Sequence, residues 1–442
     1  MVYLHLDFQR KRIDLAYKAL KMCKCDEASV DREAPEEEQG MDAENHFNLP
    51  TMAELEAAMC SPETSIVRKM AHLFSIKKHG GAGAMNLILE SLNHDEGSVL
   101  FRHEATYVLG QLGCQDAGEP LLKILKDTSE NEMVRHEAAE ALSALGYESS
   151  LPVLQDVAAD PSAPLTVRQT CELSIHSLLS KIQGKAPAGD GAASAPAPAS
   201  VDATDQPWWL REDNAYRDRQ FNTVDPSEPY PNCTPADVPW LSAQLLNDEE
   251  SLWNRYRAMT TLRNLNSPKA TAMLALVLSR DSSSAILRHE IAFVLGQLRI
   301  PSASAGDAAV QGDAPAPAPE HDGAANAPPQ YRETPEFLKE QLKVEHSEAT
   351  AARATFAALA QCLENAREHP MARHEAALAL GSLGASAGAA ETRWEDGATS
   401  VQDTVIRLLQ TYANDPDRVV RESCLVGLDS MQEELGLELG VC

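Results

Sequence analysis

The tripeptide Arg-His-Glu occurs four times in this chain of 442 residues, each time at the start of the same longer pattern. The copies are Arg102-His103-Glu104, Arg135-His136-Glu137, Arg288-His289-Glu290 and Arg373-His374-Glu375. Neutral imidazoles and carboxylate oxygens on rigid elements are the ligands that a metal centre requires. One His-Glu pair is usually a solvated surface pair, but four pairs in one register favour a shared role. We therefore predict a metalloenzyme.

The motifs belong to a longer repeat that is marked by an arginine. The eight marker arginines are Arg68, Arg102, Arg135, Arg168, Arg255, Arg288, Arg373 and Arg421. Four of the intervals between them are 33 or 34 residues, and the others are longer, as in a repeat array whose loops carry insertions. Each unit reads as a helix, a turn that often contains Asp, the arginine and a second helix, which predicts an all-α fold: an α-solenoid of eight HEAT-like helix hairpins. Because arginine also marks repeats without a His-Glu pair, we expect it to make inter-repeat contacts.

The order of the repeats predicts two symmetric halves. In each half a plain repeat is followed by two His-Glu repeats and a second plain repeat, which suggests a dyad with one metal per half. We expect each histidine in the first turn of the second helix of its repeat. In the first copy, Ala105, Val108, Leu109 and Leu112 form an apolar stripe, and at 100° per residue His103 points roughly 160° away from it. The histidines should therefore face away from the packing side.

Composition divides the chain into repeats, a linker and inserts. Segments rich in Ala, Pro and Gly cannot bury a core, so we expect 185–201 and 302–330 to be disordered. A short helix is expected near Asp14 to Lys24. The predicted organisation is an N-terminal extension (1–50), HEAT-like repeats one to four (51–182), a partly disordered linker (183–234), repeats five and six (235–300), a disordered insert (301–348), repeats seven and eight (349–434) and a C-terminal tail (435–442).

Charge and cysteine usage limit the partners and the location. The formal net charge of −28 argues against nucleic-acid binding and favours a basic protein partner, although acidic helix faces also serve solubility. No apolar run reaches the roughly 18 residues of a membrane span, and the N-terminus lacks the apolar core of a signal peptide. Nine scattered cysteines suggest reduced thiols rather than a disulfide framework. We expect a soluble cytoplasmic protein that binds no membrane.

The ligand types narrow the choice of metal. Histidine and carboxylate ligands without thiolate favour iron or manganese, with zinc as a further option. Two histidines and one carboxylate per metal would leave positions open for dioxygen. The Glu-x-x-His spacing of di-iron sites in four-helix bundles is absent from the motifs, so a different scaffold is required.

At these motifs the sequence resembles the deoxyhypusine hydroxylase family of HEAT-repeat di-iron monooxygenases, which have eight repeats in two halves and four His-Glu pairs in this order. The resemblance covers roughly residues 51–434 apart from the inserts, and it includes Val224-Asp225-Pro226 and the run from Pro370 to Glu375. It implies an oxidoreductase of hypusine biosynthesis, a deoxyhypusine monooxygenase. Such an enzyme hydroxylates the deoxyhypusine side chain of translation initiation factor 5A to hypusine, using two iron ions (Fe²⁺), dioxygen and two electrons from an electron donor.

The resemblance also implies roles for the motif residues. By motif position, one iron would be held by His103, His136 and Glu137, and the other by His289, His374 and Glu375. Glu104 and Glu290 would face the polyamine-like substrate arm, because carboxylates suit its cationic amines, and they are also possible metal ligands. The N-terminal extension and the inserts after residues 183 and 300 depart from the family pattern.

Two alternative functions remain open from the residues alone. A HEAT-repeat scaffold that only binds a basic protein would need no metal and would tolerate loss of the histidines. A two-metal phosphoesterase would need metal ions about 3.5–4 Å apart and usually Asp-rich ligation. Asp is absent from the four motifs, which argues against the phosphoesterase.

Overall fold

The structure is a computed structural model that describes residues 49–94, 97–184, 223–298, 336–386, 393 and 399–440. Within these ranges the chain is helical, apart from loops, short 3₁₀ turns and one bridge between Arg393 and Ser400. The predicted helix near Asp14 and the predicted disordered segments 185–201 and 302–330 lie outside the described residues.

Seventeen α-helices follow one another in the described residues, labelled here in chain order. The first half contains α1 (Met52–Met59), α2 (Ile66–His79), α3 (Gly81–His94), α4 (Val99–Gln111), α5 (Gly118–Lys126), α6 (Glu132–Leu145), α7 (Leu151–Ala159) and α8 (Leu165–Gly184). The second half contains α9 (Val238–Leu246), α10 (Leu252–Leu265), α11 (Pro268–Arg280), α12 (Ala285–Gly296), α13 (Glu336–Lys343), α14 (Glu348–Glu364), α15 (Pro370–Gly384), α16 (Val401–Tyr412) and α17 (Arg418–Leu435).

The helices pair into the hairpins of an α-solenoid, which confirms the predicted fold class. Each marker arginine lies on the second helix of a hairpin, and successive second helices pack side by side, as α4 does on α6 and α12 on α15. The last helix of each half also contacts the second helices of the first two hairpins of the other half. Helix α8 packs on α10 and α12, and α17 packs on α2 and α4. The second helices therefore surround a common interior.

N-capping fixes where the four His-Glu helices begin. Ser98, Asn131, Ser284 and His369 each accept a hydrogen bond from a backbone N–H of the following turn. Each motif histidine is consequently the fifth residue of its helix. The expectation of a first-turn position was wrong, because the helices begin about one turn before the histidine, and the histidines lie in the second turn.

Small residues bring the two His-Glu helices of each half into close contact. A Cβ atom at Gly110 of α4 would lie 2.7 Å from the Cα atom of Ala141 on α6, and one at Gly296 of α12 would lie 2.9 Å from the Cβ atom of Ala379 on α15. Both glycines come seven residues after a motif histidine. A larger side chain at either position would separate the helices that carry the histidines.

The marker arginines connect helices, as expected. The Nε atoms of Arg135, Arg255 and Arg373 donate to carbonyl oxygens ten residues earlier, at distances between 2.9 and 3.0 Å. The Arg255 guanidinium also pairs with Asp281, which precedes the next second helix, at 2.7 Å. These contacts join each hairpin internally and to its neighbour.

The second insert differs from the prediction. The segment 301–348 was expected to be disordered throughout, yet α13 lies within it and buries Leu338, with Leu342 packed against the core. The two leucines are four residues apart, the spacing of one helix face. Ala/Pro-rich composition is confined to the earlier part of the insert, so the prediction extended too far.

Within the described ranges, no helix combines the length and the apolar character that crossing a membrane would require.

Candidate metal centre

The four motif histidines lie together between the two halves. The ring centroid of His103 is 5.3 Å from that of His136, 5.7 Å from that of His289 and 5.1 Å from that of His374. The rings of His136 and His289 are 5.4 Å apart, and those of His289 and His374 are 5.3 Å apart. The histidine pairs of the two halves therefore form one histidine cluster.

The cluster is buried, which the sequence did not indicate. None of the four histidines is more than 5% exposed. They do point away from the apolar stripes of their own helices, but the expectation that they face away from the packing side was wrong. The halves converge on that face, and each half covers the histidines of the other.

In the first half, two imidazoles and a carboxylate form a compact triangle. His103 Nε2 lies 3.2 Å from His136 Nε2 and 3.4 Å from Glu137 Oε2, and His136 Nε2 lies 3.8 Å from the same oxygen. Ligands bound at about 2.1 Å to one ion would be separated by roughly 3.0–3.4 Å. The triangle thus needs only small side-chain adjustments to accept a metal ion.

In the second half, the imidazole nitrogens are buried without hydrogen-bond partners. Among the described residues, neither ring nitrogen of His289 or of His374 has one. Glu375 Oε2 lies 3.8 Å from His289 Nε2, and ligand atoms of His103, His289 and His374 all lie within 4.8 Å of one another. These atoms are available to a metal ion, and His103 can share ligation with either half.

The remaining motif glutamates lie beside the outer nitrogen of the preceding histidine, but only Glu104 is within hydrogen-bond distance of it. Glu104 Oε1 lies 3.2 Å from His103 Nδ1, whereas Glu290 Oε2 lies 3.8 Å from His289 Nδ1, beyond hydrogen-bond distance. The outer nitrogen of His136 contacts the Thr170 hydroxyl at 3.5 Å. A partner on the outer nitrogen fixes the tautomer of a metal-binding histidine and leaves Nε2 free for the metal.

Burial controls the charge states of the cluster. Desolvation, with a smaller contribution from neighbouring histidines, lowers the pKa of His136, His289 and His374 well below the ordinary value. Desolvation first, and neighbouring carboxylates second, raise the pKa of Glu137, Glu290 and Glu375 well above theirs. Burial therefore favours the neutral forms of these three imidazoles and these three carboxyl groups.

Charge balance favours two divalent ions. Glu104, Glu137, Glu290 and Glu375 are each at most 8% exposed. Four ionised carboxylates would be neutralised by two divalent cations. These cations would also accept the lone pairs of the ring nitrogens that have no hydrogen-bond partner. The residues present therefore fit a pair of metal ions of the class that imidazole and carboxylate bind.

Other residues around the cluster were missed by the sequence reading. Tyr107 and Phe293, each four residues after a motif histidine, form an edge-to-face pair with ring centroids 6.2 Å apart. Lys77 Nζ lies 5.1 Å from the centroid of the Tyr107 ring, and burial lowers the pKa of the Lys77 ammonium group to about 8. Glu140, four residues after His136, has its pKa raised to about 7 by burial and by Asp225. The four-residue spacing on one helix face could have identified three of these residues.

The linker phrase that supported the family resemblance lies against both halves. Val224 N–H donates to Gln111 Oε1 at 3.0 Å on α4. Asp225 accepts two hydrogen bonds from the Arg263 guanidinium of α10, at 2.7 and 2.5 Å. The linker thereby connects the His-Glu helix α4 of one half to the first hairpin of the other.

Comparison with known proteins gives consistent matches. Residues 85–175 match the model of HEAT repeats. The chain is 30% identical to the deoxyhypusine hydroxylase of Gibberella zeae, with 87% of this chain and 90% of the relative covered. It is 31% identical to the human deoxyhypusine hydroxylase, with 86% and 90% covered. A solved structure of the human enzyme in complex with glycerol aligns with a TM-score of 0.59 and 28% identity, covering 86% of this chain and 96% of that one.

Proposed function

The chain belongs to the deoxyhypusine hydroxylase family, and we propose that it hydroxylates a deoxyhypusine side chain on a protein substrate. The relatives that carry this name align over more than four fifths of the chain. The observation that carries the proposal is the buried cluster of four histidines and four glutamates. A scaffold that only bound a protein would have no use for such a cluster, because burying unpaired polar groups costs free energy.

The proposed cofactor is a pair of iron ions. We assign His103, His136 and Glu137 to one iron and His289, His374 and Glu375 to the other. The unpaired ring nitrogens of His289 and His374 and the absence of thiolate from the cluster support this choice. When bound, the iron pair supplies the activation of dioxygen that places one oxygen atom on a substrate carbon, with two electrons from a separate donor.

The chain's own residues would prepare the site for that chemistry. Burial of the cluster excludes water, which protects a reactive oxidant and strengthens electrostatic contacts. Glu104 holds His103 through its outer nitrogen and so keeps Nε2 directed into the cluster. In the same proposal, Glu104 and Glu290 also accept contacts from the amines of the substrate arm. Those two roles for Glu104 are separable by experiment.

The proposed substrate protein is translation initiation factor 5A carrying deoxyhypusine, encountered in the cytoplasm. The formal charge of −28 supports a basic protein partner, since long-range attraction accelerates the encounter of opposite charges. The same charge argues against a nucleic-acid ligand.

The test is a single-turnover hydroxylation assay with metal analysis. The iron-loaded protein is mixed with deoxyhypusine-bearing factor, dioxygen and a reductant, and the factor is analysed by mass spectrometry. We expect a mass gain of one oxygen atom on the modified side chain and about two irons per chain, as two ligand sets require. His79→Ala serves as the control, because this histidine lies on α2 and bonds the Pro50 carbonyl. Binding of the factor without any oxygen gain would favour the scaffold alternative.

A further inference from the structure

A second group of metal-ligating side chains lies at the N-terminal end of the solenoid. Cys60 directly follows α1, and Glu90 and His94 lie four residues apart on α3. One ligand atom from each, the thiol sulfur, a carboxylate oxygen and an imidazole nitrogen, lies within 4.8 Å of the other two. None of these residues belongs to the histidine cluster.

The spacing of the three atoms suits a small tetrahedral ion. Zinc binds sulfur at about 2.3 Å and nitrogen or oxygen at about 2.0–2.2 Å, so neighbouring ligand atoms are separated by roughly 3.3–3.8 Å. Glu90 and His94 are exposed, and Cys60 is half-buried. Exposed side chains can rotate through the remaining distance without moving the helices.

The surroundings favour a cation over a free thiolate. Burial, followed by the carboxylates of Glu90 and Glu56, raises the pKa of the Cys60 thiol. Among the described residues, no side-chain hydrogen bond or salt bridge involves Cys60, Glu90 or His94, although the Cys60 backbone N–H donates to the Glu56 carbonyl. A divalent ion would compensate the carboxylates and displace the thiol proton, as metal binding to cysteine requires.

We propose that Cys60, Glu90 and His94 bind one zinc ion, with water as the fourth ligand, and that this ion fixes α1 to α3. Mixed sulfur, nitrogen and oxygen ligation is characteristic of zinc, whereas the thiolate-free cluster suits iron. The location has a structural reason. Helix α1 has eight residues, of which only Leu55 and Met59 are buried. A metal link adds stability where hydrophobic burial is small.

Cobalt titration tests the proposal in the full-length protein after its histidine cluster has been loaded with iron. Cobalt bound to a thiolate gives a near-ultraviolet charge-transfer band, and the histidine cluster contains no thiolate to produce one. We expect the band to saturate at one cobalt per chain and to disappear when zinc is added. Cys60→Ser should remove the band, and His94→Ala should weaken cobalt binding at least about tenfold.

The matched control is Cys114→Ser, which alters a buried cysteine that is not part of the group. This variant should bind cobalt as the wild type does. Absence of the band in the wild type would overturn the proposal, as would a band that persists in Cys60→Ser or an unchanged affinity in His94→Ala. Circular dichroism of each variant confirms that the protein remains folded. The hydroxylation assay does not enter this test, so the zinc site and the proposed function stand or fall separately.

Discussion

The two halves of the solenoid hold their histidine pairs in nearly the same geometry across very different lengths of chain. His103 and His136 are 33 residues apart, and His289 and His374 are 85 apart. The ring centroids are nevertheless 5.3 Å apart in both pairs, with interplanar angles of 33° and 29°. Contact between the second helices, at a glycine in each half, therefore sets the geometry. The length of the connection between those helices does not.

The halves differ in what surrounds the rings. His103 and His136 have partners on both ring nitrogens, whereas neither nitrogen of His289 or His374 has one within the part of the chain that the structure describes. A buried polar group without a partner costs about 1–3 kcal/mol. The first half is thus arranged before a metal binds, and the second half gains more when the metal arrives.

The largest expected effect comes from removing a histidine of either half. His374→Ala should lower turnover more than about a hundredfold, because a missing ligand leaves one ion incompletely held. Iron should fall from about two to about one per chain. His103→Ala should lose more iron than that, because the His103 ring lies within 5.7 Å of all three others. Iron analysis alongside the turnover assay measures both.

The fold should survive these histidine substitutions. The four side chains lie off the apolar stripes, so far-ultraviolet circular dichroism should remain that of the wild type. Full iron occupancy in either variant would remove the residue from the metal assignment. Equal iron loss in both variants would instead mean that the halves bind independently and that His103 is not shared.

A smaller effect should separate Glu104 from Glu290. A charge-assisted contact with a cationic amine contributes about 1.5–3 kcal/mol, so either Gln substitution should weaken substrate binding by roughly 10-fold to 150-fold. Glu290→Gln should keep its iron. Glu104→Gln should also weaken iron binding by about 10-fold to 100-fold, because Glu104 lies 3.2 Å from His103 Nδ1 and orients that ring.

The measurement is a binding titration of deoxyhypusine-bearing factor at low and high salt, with iron counted in parallel. Salt should slow association in the wild type and in both variants, since attraction between exposed charges is screened beyond about 8 Å near physiological ionic strength. Unchanged affinity would reject the substrate role. Complete iron loss would place that glutamate among the direct ligands.

A comparison of Ser98 and Ser284 tests how the halves are joined. Both are N-caps five residues before a motif histidine, and each hydroxyl contacts the last helix of the opposite half. Ser98 donates to the buried Glu422 carboxylate at 2.6 Å, whereas Ser284 donates to the neutral Gln169 amide oxygen at 3.0 Å. Each Ala substitution should cost about 1 kcal/mol from the lost cap.

Ser98→Ala should cost about 1 kcal/mol more than Ser284→Ala, because it also leaves a buried carboxylate with one fewer donor. Urea denaturation of the iron-loaded protein gives the difference, and Ser98→Thr is the control that keeps the hydroxyl. Equal destabilisation by the two Ala variants would show that the charged contact adds nothing at this junction.

The repeat fold and the positions of the four motif histidines could be predicted from the sequence because each depends on local patterns. Arginine spacing and the four Arg-His-Glu copies predicted the hairpins and identified the four histidines that the structure brings together. The sequence could not show that the halves meet on the face of the histidines, because that contact joins residues such as Ser98 and Glu422, which are 324 positions apart. For the same reason it suggested a dyad with one metal per half but did not show that the four rings form one buried cluster.

Residues without a repeated motif were also missed. Glu140 has no carboxylate at the matching position of the second half, where Leu378 follows His374 by four residues. Cys60 follows α1 whereas Glu90 and His94 lie on α3, and the three share no spacing that resembles a metal motif. The helix at Glu336–Lys343 was overlooked because the composition of the preceding segment was extended across it.

The smallest expected effect is that of deleting residues 302–330 from the longer connection. The deletion removes an Ala/Pro-rich segment that lies between α12 and α15, yet the histidine pair on those helices already matches the pair in the first half. Contact between Gly296 and Ala379 maintains that match and does not involve the deleted residues. Turnover and iron content should therefore stay within about twofold of the wild type, since a segment of Ala/Pro-rich composition is not expected to bury a core. Gly296→Val, which leaves the connection intact but separates the helices, should lower both. If the deletion reduced turnover strongly while Gly296→Val did not, the connection and not the helix contact would set the geometry of the second half.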